Sequence, residues 1–132
     1  MKSNTVKILV LEDEVVVGNM MASMLRHAGF HVEVANSGQR GMEYAREEKF
    51  DLITLDLDLG DVDGFEVFRE LKQRHISYRT PVVFVSGQAT DRFRQRALEL
   101  GAADFVAKPF ELTDFITRIS LAVGCESIEP AV

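Results

Sequence analysis

Apolar residues fall along this chain in two alternating rhythms. Five short runs, Val6–Leu11, His31–Ala35, Asp51–Asp56, Pro81–Ser86 and Asp104–Ala107, are rich in β-branched and aromatic residues and predict strands. Longer stretches with helical spacing separate them. After the first run, Val17, Met20, Met21, Met24, Leu25 and Ala28 recur at helical intervals, and Gly29 follows as a stop. That stripe predicts a helix packed on a sheet rather than an adaptable methionine-lined groove. Further helices are predicted over Gly38–Glu47, Phe65–Arg74, Asp91–Leu100 and Glu111–Val123. Leu112, Phe115, Ile116, Ile119 and Val123 give the last its apolar face, and Gly101 ends the fourth.

Strands that are nearly continuous in apolar character, alternating with helices, predict a parallel sheet covered on both faces. Right-handed crossovers leave few topologies. The expected fold is α/β, a three-layer flavodoxin-like (βα)5 sandwich with a parallel five-stranded sheet in the order 2-1-3-4-5. The 132 residues suit one domain, expected over residues 1–124, with 125–132 as a short polar tail.

In such sheets, ligands bind beyond the carboxyl ends of the strands where the order reverses, here between the first and third. Glu12 and Asp13 close the first run and Asp56 closes the third. Ser86 ends the fourth, and Lys108 follows the fifth, just before Pro109. Three acids, a hydroxyl and an amine are thus predicted on one rim. Three crowded carboxylates repel unless a cation intervenes. Magnesium suits them, because it takes oxygen ligands and leaves positions for water and phosphoryl oxygens. Asp56 would be the nucleophile, since a carboxylate is already ionised near neutral pH and needs no general base. Taken singly, Ser86 fits a turn cap and Lys108 a solvated surface position. Only their company with Asp56 gives them a chemical role.

Composition narrows the setting. Hydrophobic residues make up 46% and charged residues 27%, as in ordinary globular proteins. No apolar run nears the roughly 20 residues that span a bilayer, and no secretory signal is visible. The single cysteine, Cys125, rules out an internal disulfide, so a reducing, cytoplasmic location is expected. A net charge of −6 disfavours direct nucleic acid contact, and Arg92, Arg94 and Arg96 read as a solvated helix face. His27, His31 and His75 lack ligand spacing and are expected at the surface or at helix ends.

The segments Leu11-Glu-Asp-Glu14, Leu55-Asp56, Asp63-Gly64-Phe65, Phe84-Val-Ser-Gly87 and Gly101-Ala-Ala-Asp-Phe-Val-Ala-Lys-Pro-Phe110 occur in a telling order and spacing. From about Val6 to Val123 the chain resembles the receiver domain of two-component response regulators, the CheY-like superfamily. That family is itself a known instance of the 2-1-3-4-5 order, so topology and resemblance are not independent arguments.

The resemblance implies that Asp56 accepts a phosphoryl group from a phosphohistidine on a sensor histidine kinase or phosphotransfer protein. It implies Mg²⁺ bound directly by Asp13 and Asp56, through water by Glu12, and by the backbone carbonyl of Asp58, with Mn²⁺ as a substitute. Ser86 and Lys108 would contact the phosphoryl group, and the Lys108–Pro109 bond would be cis. Phe105 falls at the family's switch aromatic. Lacking a hydroxyl, it would report the switch only by turning inward. The domain would be a signalling module rather than an enzyme, though one that autocatalyses its own phosphorylation and dephosphorylation. Its fourth helix, fifth strand and fifth helix would face a downstream protein, an attached effector domain or a second copy.

Two departures stand out. Gly60 occupies a place where the family often has proline, so the acidic loop with Asp61 and Asp63 is expected to be mobile. The Asp58 side chain is expected at the site mouth, where with Gln88 it would tune loss of the phosphoryl group to water.

Rival readings explain less. Leu55-Asp-Leu-Asp58, with Ser86 and Lys108, imitates a haloacid-dehalogenase-type phosphatase. That family's nucleophile sits on the first strand, however, and its extra acids come late. Asp61-Val-Asp63-Gly64 with Glu70 suggests a calcium loop, but the register puts Leu59 at the first ligand position. No Gly-x-Gly-x-x-Gly follows the first strand.

Overall fold

The structure is a computed structural model and describes residues 5–73 and 76–124. Five strands, β1 (Lys7–Leu11), β2 (His31–Ala35), β3 (Leu52–Leu55), β4 (Val82–Ser86) and β5 (Asp104–Ala107), alternate with five helices. The helices are α1 (Val15–His27), α2 (Gly38–Glu47), α3 (Gly64–Leu71), α4 (Asp91–Glu99) and α5 (Leu112–Gly124). All neighbouring strands are parallel, and their order is β2-β1-β3-β4-β5, as predicted.

Alternation along each strand sends successive side chains to opposite faces, which builds two cores. Leu9, Leu11, Ile53, Leu55, Phe84 and Phe105 pack with α2, α3 and α4. Ile8, Val10, Leu52, Val83, Val85 and Val106 pack with α1 and α5, chiefly through Met21, Leu25, Phe115 and Ile119. Every residue of β3 and β4 is buried, which accounts for their unbroken apolar character.

Three details correct the sequence reading. α3 ends at Leu71 rather than Arg74, and Lys72 then ties the exit back toward β4 by donating to the carbonyl of Thr80 at 2.7 Å. The buried face of α1 is Gly18, Met21, Ala22 and Leu25, whereas Met20 is 45% exposed and Ala28 is also exposed. α1 covers β1 and the edge strand β2 and meets α5 on one flank, where Met24, His27 and Ala28 line an open groove against Leu112 and Ile116 instead of a filled core. Finally, the basic residues of α4 are not all simply solvated. Arg94 lies 5.3 Å from the Phe105 ring centroid and Arg96 lies 4.2 Å from that of Phe65.

His27 and His31 are exposed, as expected. Arg74, His75, Cys125 and the expected tail over 125–132 lie outside the described residues. Among the described residues no helix is long and apolar enough to cross a membrane.

Candidate functional site

The β1–β3 pairing sets the site. Leu11 pairs with Leu55, so Glu12 and Asp56 leave the sheet side by side. Backbone bonds hold both: the Asp56 N–H donates to Leu11 O at 3.2 Å, and the Glu12 N–H donates to Ala35 O at 3.0 Å. Asn36 Nδ2 donates to the Glu12 carbonyl at 3.0 Å, which fixes the chain as it turns toward Asp13. Carboxylate oxygens of Glu12, Asp13 and Asp56 all lie within 4.8 Å of one another. Glu12 is 1% exposed and Asp56 7%, while Asp13 is half-buried and forms the open side of the cup.

Lys108 reaches this cluster from the end of β5. Its N–H donates to Ser86 O at 2.9 Å, and the Lys108–Pro109 bond is cis, as expected. Nζ then lies 2.6 Å from Glu12 Oε1 and 3.0 Å from Asp56 Oδ2. Burial favours the neutral amine, but the bonds to Glu12 and Asp56 outweigh it and hold the Lys108 ammonium above its ordinary range. Burial pushes the Glu12 carboxyl upward, against the pull of Lys108 and of the Glu14 N–H. One ammonium does not balance three carboxylates. The surplus negative charge, presented entirely on oxygen atoms, fits a hard divalent cation such as Mg²⁺.

Ser86 ends β4 beside this cluster; because Leu55 pairs with Phe84, it sits one residue further out than Asp56. It is 1% exposed, and its Oγ accepts from the Gln88 N–H at 3.1 Å. Asp58 is exposed, and its side chain is engaged within the loop, where Oδ1 accepts from the Gly60 N–H at 3.1 Å. The Asp58 N–H itself donates to Asp56 Oδ1 at 3.3 Å. Phe105 stands apart from the rim. It is fully buried and stacked on Phe84 at 6.0 Å, and its carbonyl accepts from Arg94 at 3.1 Å. Its ring therefore points inward in this conformation.

Several hydrogen bonds define the path of the loop after Asp56. Gly60 has φ of +82°, a conformation closed to proline, whose ring holds φ near −65°. Asp58 and Asp63 form an antiparallel bridge, and the Gly64 N–H donates to Leu57 O at 2.8 Å. Asp61 fastens the loop to α2, accepting from the N–H groups of Gly38 at 2.9 Å and Gln39 at 3.1 Å. No local pattern announces that contact, because its partners lie 23 and 22 residues away. Asn36 and its hold on Glu12 were missed for the same reason.

Comparison with known proteins agrees with this geometry. The sequence profile of the response regulator receiver domain matches residues 8–120. A probable transcriptional regulatory protein, SilR of Salmonella typhimurium, is 35% identical over 113 residues, covering 86% of this chain and 49% of that protein. The chain thus spans about half the length of the curated relatives it matches. The non-phosphorylated HemR receiver domain from Leptospira biflexa superposes with a TM-score of 0.85 at 30% identity, over 97% of this chain and 100% of that one. The receiver domain of the sensor histidine kinase PA1611 from Pseudomonas aeruginosa PAO1, with magnesium coordinated in its active-site cleft, gives 0.82 at 26% identity, covering 92% and 99%. With the strand order, the acidic rim and the profile match in accord, the chain belongs to the receiver-domain family of two-component response regulators.

Proposed function

We propose that this domain is a phosphorylation switch whose acceptor is Asp56. The observation that carries the reading is the convergence of Glu12, Asp13 and Asp56 within 4.8 Å, with Lys108 bonded to Asp56 at 3.0 Å. Mg²⁺, or Mn²⁺ in its place, held by Asp13, Asp56, the Asp58 carbonyl and a water on Glu12, would screen the charge between nucleophile and donor.

Asp56 attacks the phosphorus of a phosphohistidine on a kinase or phosphotransfer protein. Its carboxylate oxygen forms the new P–O bond as the P–N bond breaks, and the imidazole keeps the electron pair and takes up a proton. Lys108 follows the growing charge from the carboxylate to the phosphoryl oxygens, and the Ser86 hydroxyl donates to another. The product is a mixed anhydride that water cleaves, so the mark is temporary. Asp58 and Gln88 flank the exit and tune that hydrolysis. Their double alanine variant should lose phosphate at a changed rate.

The receiver unit is assigned to residues 1–124 in a cytoplasmic setting. Output passes through α4, β5 and α5 to a downstream protein, an attached effector module or a second copy. On that face Arg118 holds Asp104 in a two-bond pair at 2.8 and 2.7 Å, and Arg94 covers Phe105. Phosphorylation shifts the population of this face through Ser86 and Lys108.

The test is incubation with a small-molecule phosphodonor and MgCl2, followed by intact-mass measurement. One phosphoryl group should add to the wild type, and none without Mg²⁺ or in Asp56→Asn. Labelling that persists in Asp56→Asn overturns the assignment.

A further inference from the structure

We infer that Asp61 is a positioning residue for the metal-binding loop, an inference that rests on the magnesium reading above. The loop from Leu57 to Asp63 carries the Asp58 carbonyl expected to complete the cation's protein ligands. It also passes directly beside the acidic cup, because a Cβ added at Gly60 would lie 3.5 Å from Asp13 Oδ2. A small displacement of this loop therefore changes the cavity.

What holds the loop is a contact with the start of α2. The first N–H groups of a helix have no partner within it. In α2 the task is divided: the Ser37 side chain accepts from the Arg40 N–H at 3.0 Å, and Asp61 accepts from Gly38 and Gln39. These bonds, that from Gly38 foremost, hold the Asp61 carboxyl below its usual range, so the anion is the bonding form. The approach is close. A Cβ at Gly38 would collide with Val62 Cγ1, so that position accepts only glycine while Val62 lies over it. Asp61 and Val62 together dock the loop on α2. They supply from a distance the restraint that a ring at position 60 would supply locally, in a backbone conformation that proline cannot enter.

An aspartate that merely caps α2 would affect stability alone. One that aims the loop also sets cation affinity. Outer residues that orient metal ligands typically change affinity by about 10–100-fold when removed, and the exposed position of Asp61 favours the lower end.

The experiment compares the wild type, Asp61→Ala, Asp61→Asn and Ser37→Ala, with Mg²⁺ affinity read by calorimetric titration of the full chain. Asp61→Ala should bind Mg²⁺ about tenfold more weakly. Asp61→Asn, which retains one carbonyl acceptor, should recover part of the loss. Ser37→Ala removes the other cap of the same helix and should lower the melting temperature without moving Mg²⁺ affinity. Phosphorylation of Asp61→Ala at saturating Mg²⁺ should return toward the wild-type rate.

Equal affinity in Asp61→Ala and the wild type overturns the inference and leaves the magnesium reading standing. So does an equal loss in Ser37→Ala, which would make Asp61 a helix cap only. A wild type that binds no Mg²⁺ overturns the magnesium reading itself, and this inference falls with it.

Discussion

Replacing Asp13 by asparagine should make the metal-free protein more stable. Oxygens of Glu12, Asp13 and Asp56 lie within 4.8 Å of one another, and among the described residues only Lys108 pairs with them, through bonds to Glu12 and Asp56 rather than to Asp13. Two unit charges at that separation repel by about 3–4 kcal/mol at an effective dielectric constant near 20. Asp13 faces two such neighbours and, further off, the Lys108 ammonium, so roughly one net repulsion remains. Half-exposure of Asp13 screens it further, and about 1–2 kcal/mol is a reasonable gain on neutralisation. That corresponds to a rise of about 3–10 °C in melting temperature for a domain of this size.

The assay is thermal and urea unfolding by far-ultraviolet circular dichroism, since the chain has no tryptophan. In EDTA, Asp13→Asn should unfold at higher temperature than the wild type. In MgCl2 at about a hundred times the dissociation constant, the wild type should gain about 2.7 kcal/mol and the variant almost nothing, so the order reverses. A variant less stable than the wild type in EDTA would refute the repulsion argument. Equal gains from Mg²⁺ would remove Asp13 from the metal site.

Further outcomes follow from individual side chains. Thr54 Oγ1 is fully buried on β3 without a hydrogen-bond partner among the described residues, so Thr54→Val should raise the urea-unfolding free energy by about 1–2 kcal/mol; a loss of stability would show that the hydroxyl is bonded. Lys108→Met strands the buried Glu12 carboxylate beside Asp56 and should cost about 3 kcal/mol in EDTA while tightening Mg²⁺ binding in calorimetry; weaker Mg²⁺ binding would contradict the charge balance described here. Burial lowers the Lys72 ammonium from its ordinary 10.5, so the unfolded chain holds more protons between the two values and stability rises with pH across that window. The wild-type-minus-Lys72→Met difference in unfolding free energy should therefore be flat at lower pH and climb toward 10.5, and a falling difference would refute it.

The parts of the site legible in the sequence are those that end strands. Glu12, Asp56, Ser86 and Lys108 each follow an apolar run, and parallel order places such ends on one rim whatever the helices do. The exact face of α1 was not legible, because Met20 and Met21 are equally apolar and only the neighbouring β2 and α5 decide which is buried. The Asp61 tether was also hidden, since a carboxylate in an acidic loop looks solvated until the start of α2 is brought against it. Arg94 misled for a related reason, whereas Arg92 and Arg96 are exposed as expected. Its charge suggested solvent, while its planar head is half-buried over Phe105.

In the proposed switch, Asp56 carries the phosphoryl group. Borohydride reduces an acyl phosphate of aspartate to homoserine, so reducing the phosphorylated protein and sequencing its peptides by mass spectrometry reads the acceptor position directly. Homoserine should appear at position 56 alone, and only when Mg²⁺ was present. Homoserine at position 13 or 58, with Asp56 intact, would contradict that assignment.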